Sequence, residues 1–170
     1  MTQKEFIEIL DGEDYSYEIE GDKIIVTHEG HVDLGWLTSL PPGVEFNSGR
    51  DVDLKKLVDL PPGVVFNNVM NVTMQFLTSL PPGVEFNNGG NVTLSSLTSL
   101  HPSVKFNNLG TSYFGSLVSI PPGVKFRNGT VYFKGRSKYN TSFSRWKGNI
   151  EGIDSTKLLN SMISKEIFER

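Results

Sequence analysis

The sequence predicts a mainly β fold: a parallel β-solenoid of about five 20-residue coils with a short helical cap at both ends. Three observations carry that prediction. Between Val32 and Val131 the chain repeats itself, with copies beginning at Val32, Val52, Val72, Val92 and Ser112. A fixed period of about this length marks stacked supersecondary units. Within each copy, apolar and polar residues alternate twice. Val84, Phe86 and Asn88 share one face against Glu85 and Asn87, and Val92 and Leu94 share another against Thr93. Period two over short runs is the signature of half-buried strands. Finally, equivalent positions hold the same residue type from copy to copy. They form columns of Phe46, Phe66, Phe86, Phe106 and Phe126, and of Val44, Val64, Val84, Val104 and Val124. Leu37, Leu57, Leu77, Leu97 and Leu117 form a third column, and Leu40, Leu60, Leu80, Leu100 and Ile120 a fourth.

Residues 1–30 read as the N-terminal cap. Thr2 and Glu5 have capping-box spacing, and Phe6, Ile7 and Leu10 then fall on one face of a helix over about residues 3–10, closed by Gly12. Residues 15–20 and 23–28 alternate in strand fashion around Gly21-Asp22, a two-residue hairpin signal. Ile24 and Val26 stand one period before Val44 and Phe46, so the hairpin is expected to pass its pairing to the first coil.

Residues 31–135 are the solenoid. Pro81-Pro82-Gly83 and Gly89-Gly90 mark the turns of one coil, proline by its fixed φ and glycine by its freedom. Asn68, Asn88, Asn108 and Asn128 line a turn where stacked amides are expected to bond coil to coil. The last turn is one residue shorter, through Asn128-Gly129-Thr130. A single coil buries too few side chains to offset the entropy of ordering it, so neighbours must stabilise one another. Residues 136–170 form the C-terminal cap. Asp154 or Ser155 caps a helix over about 155–168 whose apolar face is Leu158, Leu159, Met162, Ile163 and Ile167.

The string LTSLPPGV, residues 77–84, resembles the LTSLP segment of bacterial leucine-rich repeats of similar length. The copies depart from that family in lacking an LxLxxNxL run and in placing a second strand, VxFxN, where its outer segment would lie. They are more similar to short solenoid proteins of bacteriophage and bacterial genes. The resemblance implies a leucine-rich-repeat-like architecture. For function, it implies a phage-encoded inhibitor of a host or defence protein, anti-CRISPR-like in kind.

Charge is distributed unevenly. Residues 1–30 hold nine acids and two bases, residues 31–131 six of each, and residues 132–170 four acids and eight bases. The ends therefore carry −7 and +4 around a neutral middle, a pattern associated with binding or with solubility at two caps. There is no cysteine, which excludes disulfides and thiol chemistry. No apolar run is long enough to span a membrane, and MTQKEFIEIL lacks a signal core, so the expected location is cytoplasmic.

Catalysis, a cofactor and a metal are not expected. His28 and His31, with Glu29 or Asp33, are better explained as exposed turn residues than as ligands, and His101 as variation in a turn. Asp33 and Asp53 share a column and are candidates for paired carboxylates, but no cleft-building segment flanks them. A partner protein is the first expectation. Trp36, Lys55, Lys56 and Phe76 occupy positions where sister copies hold Gly, Gln or Ser. Val65, Val69 and Met70 are apolar where sister copies hold Glu, Lys, Gly or Arg. Exposed rings and methionine mark contact surfaces; the competing reading folds Trp36 and Phe76 over a neighbouring coil or into a homodimer contact. Nucleic acid is the second expectation, through Lys134, Arg136, Lys138, Arg145, Trp146 and Lys147 in a basic, aromatic stretch. Against it stands the reading in which those rings fill the C-terminal cap. A carbohydrate-binding or carbohydrate-active solenoid is the third.

Overall fold

The computed structural model describes residues 1–117, 120, 121, 123–126, 130–134 and 143–147. The coils stack through two seven-stranded sheets, parallel except at one end pair of each, and a short third parallel sheet, so the stack has three sides. The first sheet joins Tyr17–Glu20, Lys23–Val26, Val44–Phe46, Val65–Phe66, Glu85–Phe86, Lys105–Phe106 and Lys125–Phe126 in that spatial order. The second joins Val32–Asp33, Val52–Asp53, Val72–Thr73, Val92–Leu94, Thr111–Phe114, Thr130–Lys134 and Phe143–Lys147. The third is short, pairing Ser79–Leu80 with Ser99–Leu100, with a bridge from Ser39 to Asp59.

Register follows the repeat. Val72 pairs with Val52 and Val92, and Phe66 with Phe46 and Phe86, so the columns predicted above are real stacks. At the last step Ser112 pairs with Val131, a shift of 19, as the shorter final turn requires. Strand spacing of about 4.8 Å brings like side chains into contact. The rings of Phe46, Phe66, Phe86, Phe106 and Phe126 follow one another at centroid distances of 5.3, 5.1, 5.0 and 4.8 Å, within 10° of parallel. Phe114 meets Phe106 and Phe126 edge-on. All of these phenylalanines are buried, as are the Val and Leu columns.

The asparagines divide the labour differently from the expectation. Asn68, Asn88 and Asn108 are buried, but each donates to main-chain carbonyls: Asn88 Nδ2 to Met70 O at 2.9 Å and Asn91 O at 3.3 Å. The side-chain ladder runs instead along outward-facing Asn47, Asn67, Asn87 and Asn107, at 2.8–3.0 Å per rung. A third ladder links Asp51, Asn71, Asn91 and Thr111, each side-chain oxygen accepting the next coil's amide. The carbonyls they reach also accept a main-chain amide of a neighbouring coil, Asn91 O from Val72 N and Met70 O from Gly90 N, so each inward amide fills the second acceptor site of a turn carbonyl.

At the N-terminal end, α1 spans Gln3–Gly12 with the full Thr2–Glu5 capping box. It lays fully buried Phe6 and Leu10 over the first coil. The hairpin forms as predicted, and Ile24 pairs with Val44 and Val26 with Phe46. Cap and coils thus share one hydrogen-bonded sheet. The exposed edge of Val32–Asp33 is closed by a single side chain: the Tyr15 hydroxyl accepts from Asp33 N at 2.9 Å and lies 3.3 Å from Asp33 O.

Glu5 carries a testable pH dependence. Its carboxylate accepts the Thr2 backbone amide at 2.6 Å and the Thr2 hydroxyl at 3.0 Å, and these bonds hold its pKa below the usual 4.5. A depressed folded-state pKa stabilises the fold above the unfolded value, and that contribution is lost as pH falls through the folded one. The first turn of α1 is therefore expected to fray as pH falls below about 4.5. Amide exchange at residues 3–6 against pH measures this. Glu5→Gln should remove the dependence, and an unchanged profile in that variant would show that another group controls the turn.

At the C-terminal end, Phe143–Lys147 adds antiparallel to Thr130–Lys134, a strand that the sequence reading did not foresee. The helix expected at about 155–168 lies outside the described residues, as do Arg136 and Lys138.

Candidate partner-binding surface

The outward side of the second sheet is a column of Asp33, Asp53, Thr73, Thr93 and Tyr113, because Val32, Val52, Val72 and Val92 take the inward side. Just past it the chain turns toward the third sheet. Lys56 N donates to Gly35 O and Phe76 N to Lys55 O, which stacks Trp36, Lys56 and Phe76 along one corner. Two coil steps separate the rings, about 10 Å. Trp36 is 51% exposed and Phe76 56%. Inward leucines fill the core side of that corner, since Leu37, Leu57 and Leu77 are all buried, so the two rings lie outside the core.

The two lysines differ in kind. Lys55 Nζ lies 2.5 Å from Asp53 Oδ2, and that bond raises its pKa. Its charge is committed to Asp53, which is itself buried. Lys56 is exposed and has no ion pair among the described residues. Of these two lysines, Lys56, between the rings, is the one whose charge is available to a partner.

The other predicted contact residues lie elsewhere. Val69 and Met70 are exposed at the corner before the second sheet, on the other margin of its outward face. Val65 does not join either group: it is half-buried on the outward side of the first sheet, between Glu45 and Glu85. The sequence reading also passed over Leu109, 67% exposed and two coils above Val69. Comparison with Gly49 and Gly89 in the same column would have found it. Val58 and Tyr113 are further exposed apolar residues, the latter stacked on Tyr132 at 5.3 Å.

The paired-carboxylate candidates have structural duties. Asp33 Oδ1 accepts Gly35 N and Asp53 Oδ1 accepts Lys55 N, both at 3.0 Å, turns in which an Asp side chain bonds the backbone two residues on. His28 packs edge-on against Tyr15, and His31 lies 3.8 Å from Asp51. Among the described residues no group of three His, Asp or Glu side chains gathers as metal ligands. His101 Nδ1 lies 2.9 Å from Ser103 Oγ in the turn where sister coils carry Pro and Gly. Ser103 N also donates to that nitrogen, and Gly83 N donates to the hydroxyl, so the pair ties the turn together. No helix among the described residues is long and apolar enough to cross a membrane.

No family model, curated protein or solved structure matches this chain. Of the basic residues considered for nucleic acid, Lys134, Arg145 and Lys147 fall on the last two strands of the second sheet. There Tyr132 is registered opposite Arg145, and Val131 opposite Trp146.

Proposed function

We propose that this chain is a non-enzymatic protein-binding solenoid whose contact surface centres on Trp36, Lys56 and Phe76. The observation that carries this is two half-exposed rings in one rigid column with an uncommitted cation between them. Sister coils show that the fold accepts Ser at this position, as at Ser96 and Ser116, so folding does not require the rings. A large aromatic held in place by the backbone loses little entropy on binding and has much surface to bury. The outward face of the second sheet, with Met70 and Leu109 along its other margin, extends the surface. The partner class implied by the resemblance, a host or defence protein of a bacterium, is the one to present first. Trp36→Ser and Phe76→Ser should each weaken binding by about 2 kcal/mol, or roughly thirtyfold in Kd, by calorimetry with the purified partner. Thermal unfolding should barely shift. Intact binding by the folded variants would place the contact elsewhere.

A further inference from the structure

The first sheet ends at Tyr17–Glu20, and hydrogen-bond parity shows what that edge presents. Tyr17 pairs with Val26, Glu18 with Ile25, Ile19 with Ile24 and Glu20 with Lys23. Thr27 N donates to Ser16 O at 2.9 Å, which makes Ser16–Thr27 a bonded pair. Bonded and non-bonded pairs alternate along an antiparallel ladder. Glu18 and Glu20 therefore bond inward to the hairpin partner, while Tyr17 and Ile19 turn their N–H and C=O groups outward. Ile24, opposite Ile19, sends its own N–H the other way, to Gly43 O. Ile19 is 58% exposed, with exposed Glu18 and Glu20 on either side of it. The edge thus offers an antiparallel strand both main-chain groups of Ile19, an apolar contact at its side chain, and a carboxylate on each flank.

Pairing this strand with its equivalent in another molecule would set glutamates opposite glutamates, which is unfavourable. A strand reading base–apolar–base suits it. At the other end of the molecule Phe143–Lys147 has that sequence, with Arg145 and Lys147 around Trp146, and it is the outermost strand of the second sheet among the described residues. The two strands cannot meet within one molecule, since the coils between them hold them roughly 30 Å apart. The terminal segments they belong to, residues 1–30 and 132–170, carry −7 and +4.

We propose that Tyr17–Glu20 is a strand-addition site whose occupant is the Phe143–Lys147 strand of a second copy of this chain, joining molecules head to tail. Trp146 lies opposite Ile19, and Arg145 and Lys147 lie opposite the two glutamates. The contact is heterologous, so each molecule keeps one free end of each kind and the assembly grows rather than closing as a dimer.

Sedimentation velocity of the full chain tests this. Self-association should rise with concentration and weaken at least about tenfold between roughly 0.05 M and 0.5 M salt. Glu18→Lys with Glu20→Lys should give monomers, as should Arg145→Glu with Lys147→Glu, and an equimolar mixture of the two variants should associate again. Ile19→Pro removes an edge N–H that has no partner among the described residues. It should also give monomers with thermal unfolding little changed. A wild-type chain that stays monomeric at low salt overturns the proposal: the glutamates then only guard the edge. So does association that survives Ile19→Pro, which would mean charge attraction without strand pairing. Failure of the mixture to associate would assign the acidic edge to a different basic partner and would equally overturn it.

Discussion

Phe86→Ala is expected to destabilise the fold by about 3–5 kcal/mol, enough to leave a typical domain of marginal stability largely unfolded at modest temperature. Phe86 has no exposure and sits midway along the ring stack, 5.1 Å from Phe66 and 5.0 Å from Phe106. Removing it opens a cavity that the stack cannot close, because strand spacing fixes the rings above and below. The loss is also placed where the solenoid is least able to tolerate it. Each coil touches only its neighbours, so a weakened central coil separates the molecule into two shorter stacks. Chemical denaturation should show a lower midpoint with a broadened or split transition. Unchanged stability would mean that the rings are ornaments on a core held by the Val and Leu columns.

Phe6→Ala combined with Leu10→Ala should cost at least about 5 kcal/mol, somewhat less than the sum of two separate core truncations because the residues share one contact. Both are fully buried, and α1 is the only element described above the first coil on that side. Its loss uncovers the end of the core cluster that Phe6 and Leu10 belong to, beside an edge strand, Val32–Asp33, that Tyr15 closes. Light scattering on the double variant should show aggregation, the usual fate of an uncovered edge. Soluble, monomeric protein with a native midpoint would show that the hairpin suffices as a cap.

Much of the architecture was legible because the chain supplies five versions of one coil. Phe46 through Phe126 announce an inward column, and the two-residue alternation shows that Asn87 faces out when Asn88 faces in. The same comparison identified Trp36 and Phe76 as residues the fold does not need. What it could not supply was the identity of hydrogen-bond partners. Asn88 was expected to bond its sister amides, but its inward side chain meets turn carbonyls, and those claim it. Nor could residue type separate Lys55 from Lys56. Asp53 takes one and leaves the other by backbone direction alone. The strand Phe143–Lys147 was illegible because it pairs antiparallel, after the repeat has ended and with no column to announce it.

The shift of 20 that recurs between paired strands from the first coil to the fifth has a genetic consequence. An in-frame loss or gain of one 20-codon block within the first five coils leaves the columns filled and the ladders joined, so recombination between equivalent points of two copies yields foldable proteins rather than wreckage. Such events also change what the surface presents. Excising residues 52–71 would bring Phe76 directly above Trp36, at about 5 Å in place of about 10 Å, and delete Lys56 from between them. A lineage carrying this gene can thus remodel its contact surface in single recombination steps, without passing through intermediates that fail to fold.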